Sequence, residues 1–373
     1  MEAPSPTASS RPEAPSTEAG ALPIEQLRQA VEDLFEPRPR WYWLDLIASA
    51  TCFYGGLAVV ATTSIPGPLK LAAAVVAVLG LYRAVIFIHE LAHFPPGRMP
   101  SFRFAWNLVC GVPLLAPDFL YRSHVDHHRR RAYGTANDGE YLPWGSPGHR
   151  LAIVTFLLSS FVALPAAVLR FGLLGPLSWL NPTLREWVAV SASSLVVDMR
   201  YRRTLPSLTE AWRWRRQEAA VFIYLCAVAI GLLTSVISVG MLAQLYVIAS
   251  AALFLNGLRT LAAHRYGASG MPLTATQQLL DSINYPRRPF LTELWAPVGL
   301  RFHAAHHLFP GIPYHNLPAA HARIMRCLPP NSSYHQTEGR GLMISLARLW
   351  RAAGVERRLV VPGAPLRSGD AGG

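Results

Sequence analysis

The sequence predicts an all-α integral membrane protein, with about four transmembrane helices in two hairpins, interfacial helices and a His-rich cap on the cytoplasmic side. Three observations predict it. Of 373 residues, 51% are hydrophobic and only 15% charged, against about 25% charged in an ordinary soluble domain. Mean hydropathy is positive, at +0.23. Four apolar segments approach the roughly 20 residues that cross a bilayer core, and the basic residues cluster between them on one side. This composition excludes a disordered chain, a collagen-like fibre and a disulfide scaffold. It leaves a puzzle, because the same chain carries 13 His, a residue with no reason to gather on a lipid-facing surface.

Residues 1–22 are rich in Pro, Ser, Ala and Glu and lack an apolar signal segment, so they read as a disordered tail, as does 359–373. Between them, 23–358 reads as one membrane domain. Residues 24–36 set Ile24, Leu27, Val31, Leu34 and Phe35 at helical spacing, which predicts an amphipathic helix lying on the membrane or docked on the protein. Pro37 and Pro39 end it. Trp43–Thr63 and Leu69–Ile88 form the first hairpin, turning at Ile65–Pro68. Ala219–Val239 and Met241–Leu258 form the second, with a tight turn at Gly240.

Leu151–Leu169 is apolar but contains Pro165, so it reads as an interfacial or re-entrant segment; the other option is that it crosses together with Trp187–Val197. Phe104–Pro117, interrupted by Pro113 and Pro117, is expected to run along the surface. The hairpin turns hold no basic residue apart from Lys70. The stretches 98–150 and 200–216 and everything after Leu258 are rich in Arg, which places the His clusters at the cytoplasmic face. The net charge of +12 then records topology; no nucleic-acid pattern accompanies it. Cys52, Cys110, Cys226 and Cys327 are scattered without metal-binding spacing and read as small buried hydrophobes.

Nine of the His fall in four places: His89 and His93; His124, His127 and His128; His264; and His303, His306 and His307. Residues three and four apart share a helix face, so each cluster aims two or three imidazoles at one point. Nine imidazoles exceed one ion's coordination and suit two, of a metal such as Fe, Zn, Cu or Ni. Core packing does not generate such clusters, because each buried imidazole needs its own partner. His89–His93 also matches HExxH, the zinc-protease signature with Glu90 as general base, a remote alternative that leaves both His-His pairs unexplained. The extended HExxHxxGxxH form fails, since Gly97 comes one place late and no His follows.

With HxxxH, HxxHH and HxxHH in order and a hairpin between the second and third, the chain resembles the membrane fatty acid desaturase family, within the desaturase and hydroxylase superfamily. The likeness runs from about residue 41 to 327 and includes His264-Arg265 and the stretch Leu308–His315. The resemblance implies a cytoplasmic di-iron cap with all nine His as ligands, two non-haem irons as cofactor and O2 as co-substrate. It implies desaturation of a fatty acyl chain, its carrier unknown, in lipid metabolism. The alternative on the same centre is a hydroxylase or ketolase of a carotenoid, sphingolipid or other long apolar substrate. Electrons must come from an external donor, such as a ferredoxin or a b-type cytochrome with its reductase, because the chain has no dinucleotide fingerprint or iron–sulfur Cys pattern. Family members place an Asn four residues before the lone His; here that position is Thr260, with Asn256 one turn earlier. Glu90, Asp126, Asp138, Glu140 and His315 lie near the boxes and are candidates to orient the ligands. His321 reads as structural, and His149 and His335 as surface residues.

Overall fold

A computed structural model describes residues 22–354 apart from Thr63, Pro96 and Ser269. The tails expected at 1–22 and 359–373 therefore fall, Leu22 aside, outside the described residues. Among these residues the chain is helical, with no strand and three isolated bridges. Five helices are long and apolar enough to cross a membrane: Pro39–Ala61, Gly67–His93, Ala163–Leu180, Leu208–Leu233 and Val239–Ala263.

The N-terminal amphipathic segment becomes α1 (Ile24–Ala30) followed by a 3-10 turn. Its buried Leu27, Val31 and Leu34 pack with Phe309, Ile312 and Ile324, so it docks on the cap. The Asp33–Arg323 ion pair ties it there.

The first hairpin is α2 (Pro39–Ala61) and α3 (Gly67–His93). Each has Pro in its first turn, where the missing N–H costs nothing. The helices cross closely because Gly56 and Gly80 face the partner backbone. A Cβ on Gly80 would stand 2.7 Å from Ser49 O and Phe53 N, and one on Gly56 2.7 Å from Ala73 O. Arg83 of α3 makes a bidentate pair with Asp45 of α2 at 2.6 Å and also reaches Glu293 at 3.0 Å. The helix does not end at Ile88 as the hydropathy suggests. It runs on through the first His box, putting His89 and His93 on its last turns.

α4 (Pro100–Trp106) continues into a π turn over Asn107–Gly111. Phe102, Trp106 and Cys110 pack inward while Phe104 and Leu108 stay exposed, the amphipathic pattern of a segment lying along the surface. α5 (His124–His127) is a single turn that carries the second box.

α6 (Arg150–Ser159) and α7 (Ala163–Leu169) replace the expected single segment at 151–169. The break falls at residues 160–162, ahead of Pro165, which sits in the first turn of α7 where it is tolerated. The helix then continues through a π turn and α8 (Gly175–Leu180), giving the fifth membrane-length helix; α9 (Pro182–Ser191) follows.

α10 (Leu208–Leu233) starts eleven residues before the apolar segment alone predicts, because Ser207 and Glu210 form a capping box. The turn expected at Gly240 lies instead at residues 234–238. There Ser235 adopts a positive φ of 59°, and the Ser238 hydroxyl accepts Met241 N–H at 3.1 Å. Gly240 is thus inside α11 (Val239–Ala263), which delivers His264 as its C-cap.

The cap is completed by α12 (Ala275–Asp281), α13 (Pro289–Trp295), α14 (His303–Leu308), α15 (Leu317–Cys327) and α16 (Leu342–Ala352). Fully buried Asn284 holds it together: its Oδ1 accepts Ala305 N–H of α14 at 3.1 Å, and its Nδ2 donates to Thr337 at 3.0 Å. Only Cys110 of the four cysteines is buried. Cys52 and Cys226 lie on membrane-length helices and are exposed, which corrects the reading of all four as core residues.

Candidate metal centre

All nine box histidines converge. His89, His93, His124, His128 and His306 form one group, and His127, His264, His303 and His307 a second, with the candidate ligand atoms of each group within 4.8 Å of one another. Helix geometry explains the partition. His89 and His93 are four apart on α3, and His303 and His307 four apart on α14, so each pair shares a face. His127 and His128 are consecutive and point to different groups, as do His306 and His307.

The hydrogen bonds fix which nitrogen faces the centre. His127 Nδ1 lies 2.8 Å from Asp138 Oδ2, His124 Nδ1 2.9 Å from Glu140, and His264 Nδ1 2.8 Å from the Tyr133 hydroxyl. With Nδ1–H donated to a carboxylate, Nε2 keeps its lone pair.

These Nε2 atoms approach one another. The separations are 3.0 Å for His124 and His128, 3.1 Å for His93 and His306, 2.9 Å for His264 and His303, 3.1 Å for His303 and His307, and 3.3 Å for His127 and His264. Facing lone pairs repel unless a cation lies between them. Two imidazole nitrogens at right angles, each about 2.1 Å from one ion, stand about 3.0 Å apart. Both ring nitrogens of buried His89 also lack a protein partner. The donor set therefore fits two imidazole-preferring metal ions, one for the group of five and one for the group of four.

The electrostatics agree. Burial, and then neighbouring imidazoles, push His124, His128, His303, His306 and His307 well below the usual histidine range, leaving neutral rings ready to bind metal. His264 is lowered by burial, against the pull of Asp281. His127 is the exception. Burial lowers it, but the charge and hydrogen bond of Asp138 outweigh that and raise it. Asp138 is correspondingly held low: burial acts upward, and His127 with the Gly134 and Glu140 N–H groups acts downward and prevails. Burial lifts Glu140 to about 7.

Of the residues expected to orient ligands, Asp138 and Glu140 do contact box histidines. Glu90 does not: buried on α3, it accepts hydrogen bonds from Tyr42 Oη at 2.5 Å and Tyr314 N at 3.2 Å. One position along a helix is a turn of about 100°, which aims Glu90 away from the imidazoles flanking it and removes the general base of the zinc-protease alternative. Asp126 pairs with Tyr201 and Arg129. Asn256 accepts from Arg259, and the Thr260 carbonyl accepts from Tyr266. His315 Nε2 accepts Arg38 N–H at 3.1 Å. His321 contacts Tyr334, and His149 and His335 bond nearby carbonyls. None of these bonds reaches a box histidine.

Tyr133, Asp281 and Ser282 escaped the sequence reading. Tyr133 donates to Asp281 Oδ2 at 2.7 Å beside His264, and Ser282 Oγ lies 3.3 Å from His264 Nδ1. The available signal was that Asp281 is the only carboxylate between His264 and Glu293.

A family model described as fatty acid desaturase matches residues 66–338. A ceramide hydroxylase of Caulobacter vibrioides (strain NA1000 / CB15N) is 40% identical over 339 residues, covering 89% of this chain and 95% of the hydroxylase. No solved structure matches the chain.

Proposed function

The chain belongs to the fatty acid desaturase family, and from that premise we propose that it hydroxylates a ceramide-like sphingolipid at the membrane. The observation that carries this reading is the 40% identity spanning 95% of a ceramide hydroxylase, in a chain whose nine box histidines form two complete donor groups. It favours the hydroxylase alternative over acyl desaturation, the other reaction open to the same centre.

His89, His93, His124, His128 and His306 would hold one iron, and His127, His264, His303 and His307 the other. When bound, the irons supply the oxidising power to break an unactivated C–H bond with O2. In balance, one C–H, O2, two electrons and two protons give C–OH and water; desaturation removes two hydrogens from adjacent carbons and gives two waters.

The protein's own part is positional. Asp138 and Glu140 hold the Nδ1 protons of His127 and His124, and Tyr133 with Asp281 orients His264. Such partners fix ring orientation and raise ligand basicity. Six of the nine box histidines are buried and His93, His128 and His307 partly so, which limits access of bulk water to the reacting carbon. Electrons come from a separate ferredoxin or b-type cytochrome system, docked on the cytoplasmic face where the positive-inside rule puts the boxes. Residues 23–358 act as one membrane domain.

The test is expression in a ceramide-producing host, with lipid mass spectrometry under heavy-isotope O2. A ceramide that gains one labelled oxygen supports hydroxylation. A product lacking two hydrogens moves the assignment to desaturation, and an unchanged lipid profile with an iron-loaded protein overturns both.

A further inference from the structure

A cleft of about 1070 Å³ opens between the α4–π segment and the first half of α10. Helical spacing builds both walls. Pro100, Arg103, Phe104, Asn107 and Leu108 recur at steps of three and four along one, and Arg213, Arg216, Gln217 and Ala220 along the other.

The lining is basic. Five arginines face the cleft, Arg98, Arg103, Arg122, Arg213 and Arg216, against two carboxylates, Asp118 and Glu210. Both carboxylates are already engaged. Asp118 takes the Arg103 guanidinium, Asn107 Nδ2 at 2.9 Å and Gln217 Nε2 at 2.5 Å, with Arg213 farther off at 3.9 Å. Glu210 caps its own helix, accepting Ser207 N–H at 3.1 Å and Ser207 Oγ–H at 2.9 Å. Arg98 pairs with Glu36, outside the lining. Among the described residues Arg122 and Arg216 therefore have no carboxylate partner, and exposed Arg213 has only the distant Asp118.

The cleft is also amphipathic. Its lip is apolar and uncovered: Phe104, Leu108 and Trp212 are 71%, 61% and 69% exposed, on an amphipathic segment and a membrane-length helix. Where Arg122 and Glu210 lie, it adjoins a smaller polar pocket of about 170 Å³ that adds Arg129, Arg203 and Thr204. No box histidine lines either cavity, so an occupant is not placed for reaction at the metal centre.

Charge and polarity together select the occupant. A neutral head would leave the cations unanswered, and a small soluble anion would leave the apolar lip unanswered. Basic pockets between membrane helices suit anionic lipid headgroups, and the planar fork of a guanidinium matches a phosphate.

The same arginines brace the first His box from outside. Arg103 Nη2 donates to Leu91 O at 2.7 Å, and Arg122 Nη1 to Ala92 O at 2.9 Å. Both carbonyls lie on the last turns of α3, between His89 and His93.

We propose that this cleft is an accessory site for an anionic phospholipid, with its phosphate among Arg122, Arg213 and Arg216 and its chains leaving past Phe104 and Leu108. The lipid is a structural ligand and not the substrate. It bridges the α4–π segment to α10 and, through Arg122, steadies the end of α3. This goes beyond the hydroxylase reading and does not depend on it.

The experiment titrates the purified full chain with dioleoyl phosphatidylglycerol or dioleoyl phosphatidylcholine and follows binding by native mass spectrometry. Wild type binds one phosphatidylglycerol about tenfold tighter than phosphatidylcholine. Arg213→Gln/Arg216→Gln loses that preference. Arg130→Gln/Arg131→Gln, which removes two exposed arginines outside the cleft, keeps it. Inorganic phosphate does not displace the lipid. Thermal unfolding in nanodiscs verifies that each variant is folded and supplies a second readout: phosphatidylglycerol raises the wild-type midpoint above that in phosphatidylcholine, and does not do so for Arg213→Gln/Arg216→Gln.

Equal wild-type affinity for the two lipids overturns the site. So does an equal loss in both double variants, because general attraction of a basic face to anionic lipid acts through either pair. Displacement by inorganic phosphate overturns the lipid assignment. Labelled oxygen in phosphatidylglycerol recovered after turnover under heavy-isotope O2 overturns the accessory role. The ceramide product is measured separately, so failure of the hydroxylase reading leaves these outcomes distinct.

Discussion

Asp138 accepts the Nδ1–H of His127 at 2.8 Å, and both side chains are shut off from solvent. The pair fixes one imidazole of the four-histidine group from behind. Asp138→Ala leaves a buried imidazole without its orienting acceptor, and loss of such partners typically costs 10–100-fold in metal affinity. Iron titration of the metal-free protein checks this, and an unchanged affinity would remove Asp138 from any orienting role.

Removing a ligand itself acts more sharply. His307→Ala reduces the second group to His127, His264 and His303. Roughly half of the bound iron is lost and product formation stops, while the protein stays in the membrane. His149→Ala, at a residue bonded only to nearby backbone carbonyls, changes neither. Metal analysis of the two purified variants decides; full iron in His307→Ala would exclude His307 as a ligand.

The α2–α3 crossing sets a stability prediction. A side chain at Gly80 meets Ser49 O and Phe53 N at 2.7 Å, both backbone atoms that cannot step aside. Gly80→Val costs roughly 2 kcal/mol by overpacking, and it loosens the helix that carries His89 and His93. Gly55, with nothing within 4 Å of its added Cβ, accepts Ala with little change. Detergent unfolding curves compare the two, and equal midpoints would contradict the close crossing.

Acid should weaken the metal-free protein. Burial followed by neighbouring imidazoles holds His303, His306 and His307 well below 6.5 in the folded state. Unfolded chains titrate near the ordinary value of about 6.5. Below that pH the unfolded state binds more protons, so stability falls as pH falls and shows no such loss above it, with a slope approaching about 1.4 kcal/mol per pH unit for each imidazole. His127, raised by Asp138 after its burial cost, works in the opposite direction and offsets part of the loss. Chelated protein melted between pH 7.5 and 5.5 tests the sign; a midpoint that rises on acidification would contradict it.

The histidine spacing made the convergence of the nine imidazoles legible from sequence, because i, i+3 and i, i+4 positions share a helix face wherever the helix lies. Hydropathy located the membrane segments but not their ends. α3 continues past Ile88 because His89–His93 still has helical partners, and α10 begins at Leu208 because a Ser207–Glu210 box caps it. Gly240 looked like a turn by residue type, yet the Ser238 cap set the turn before it.

Neighbour-in-sequence reasoning succeeded for Asp138 and Glu140, which lie a short loop from α5. It failed for Glu90, because helix phase turns it to Tyr42. Tyr133 and Asp281 are 148 positions apart, and only the folded cap brings them to His264.

The split of His127 and His128 between the two donor groups has a consequence for how the centre responds to its surroundings. Consecutive Cα atoms stand about 3.8 Å apart across a peptide bond, so the two donor groups, each of which would hold one metal ion, are tied together covalently at His127–His128 and again at His306–His307. His89 and His93 arrive on one membrane-length helix and His264 at the end of another. A change of tilt or lipid thickness would therefore move His89, His93 and His264 relative to these covalently tied neighbours, coupling both donor groups to the state of the membrane.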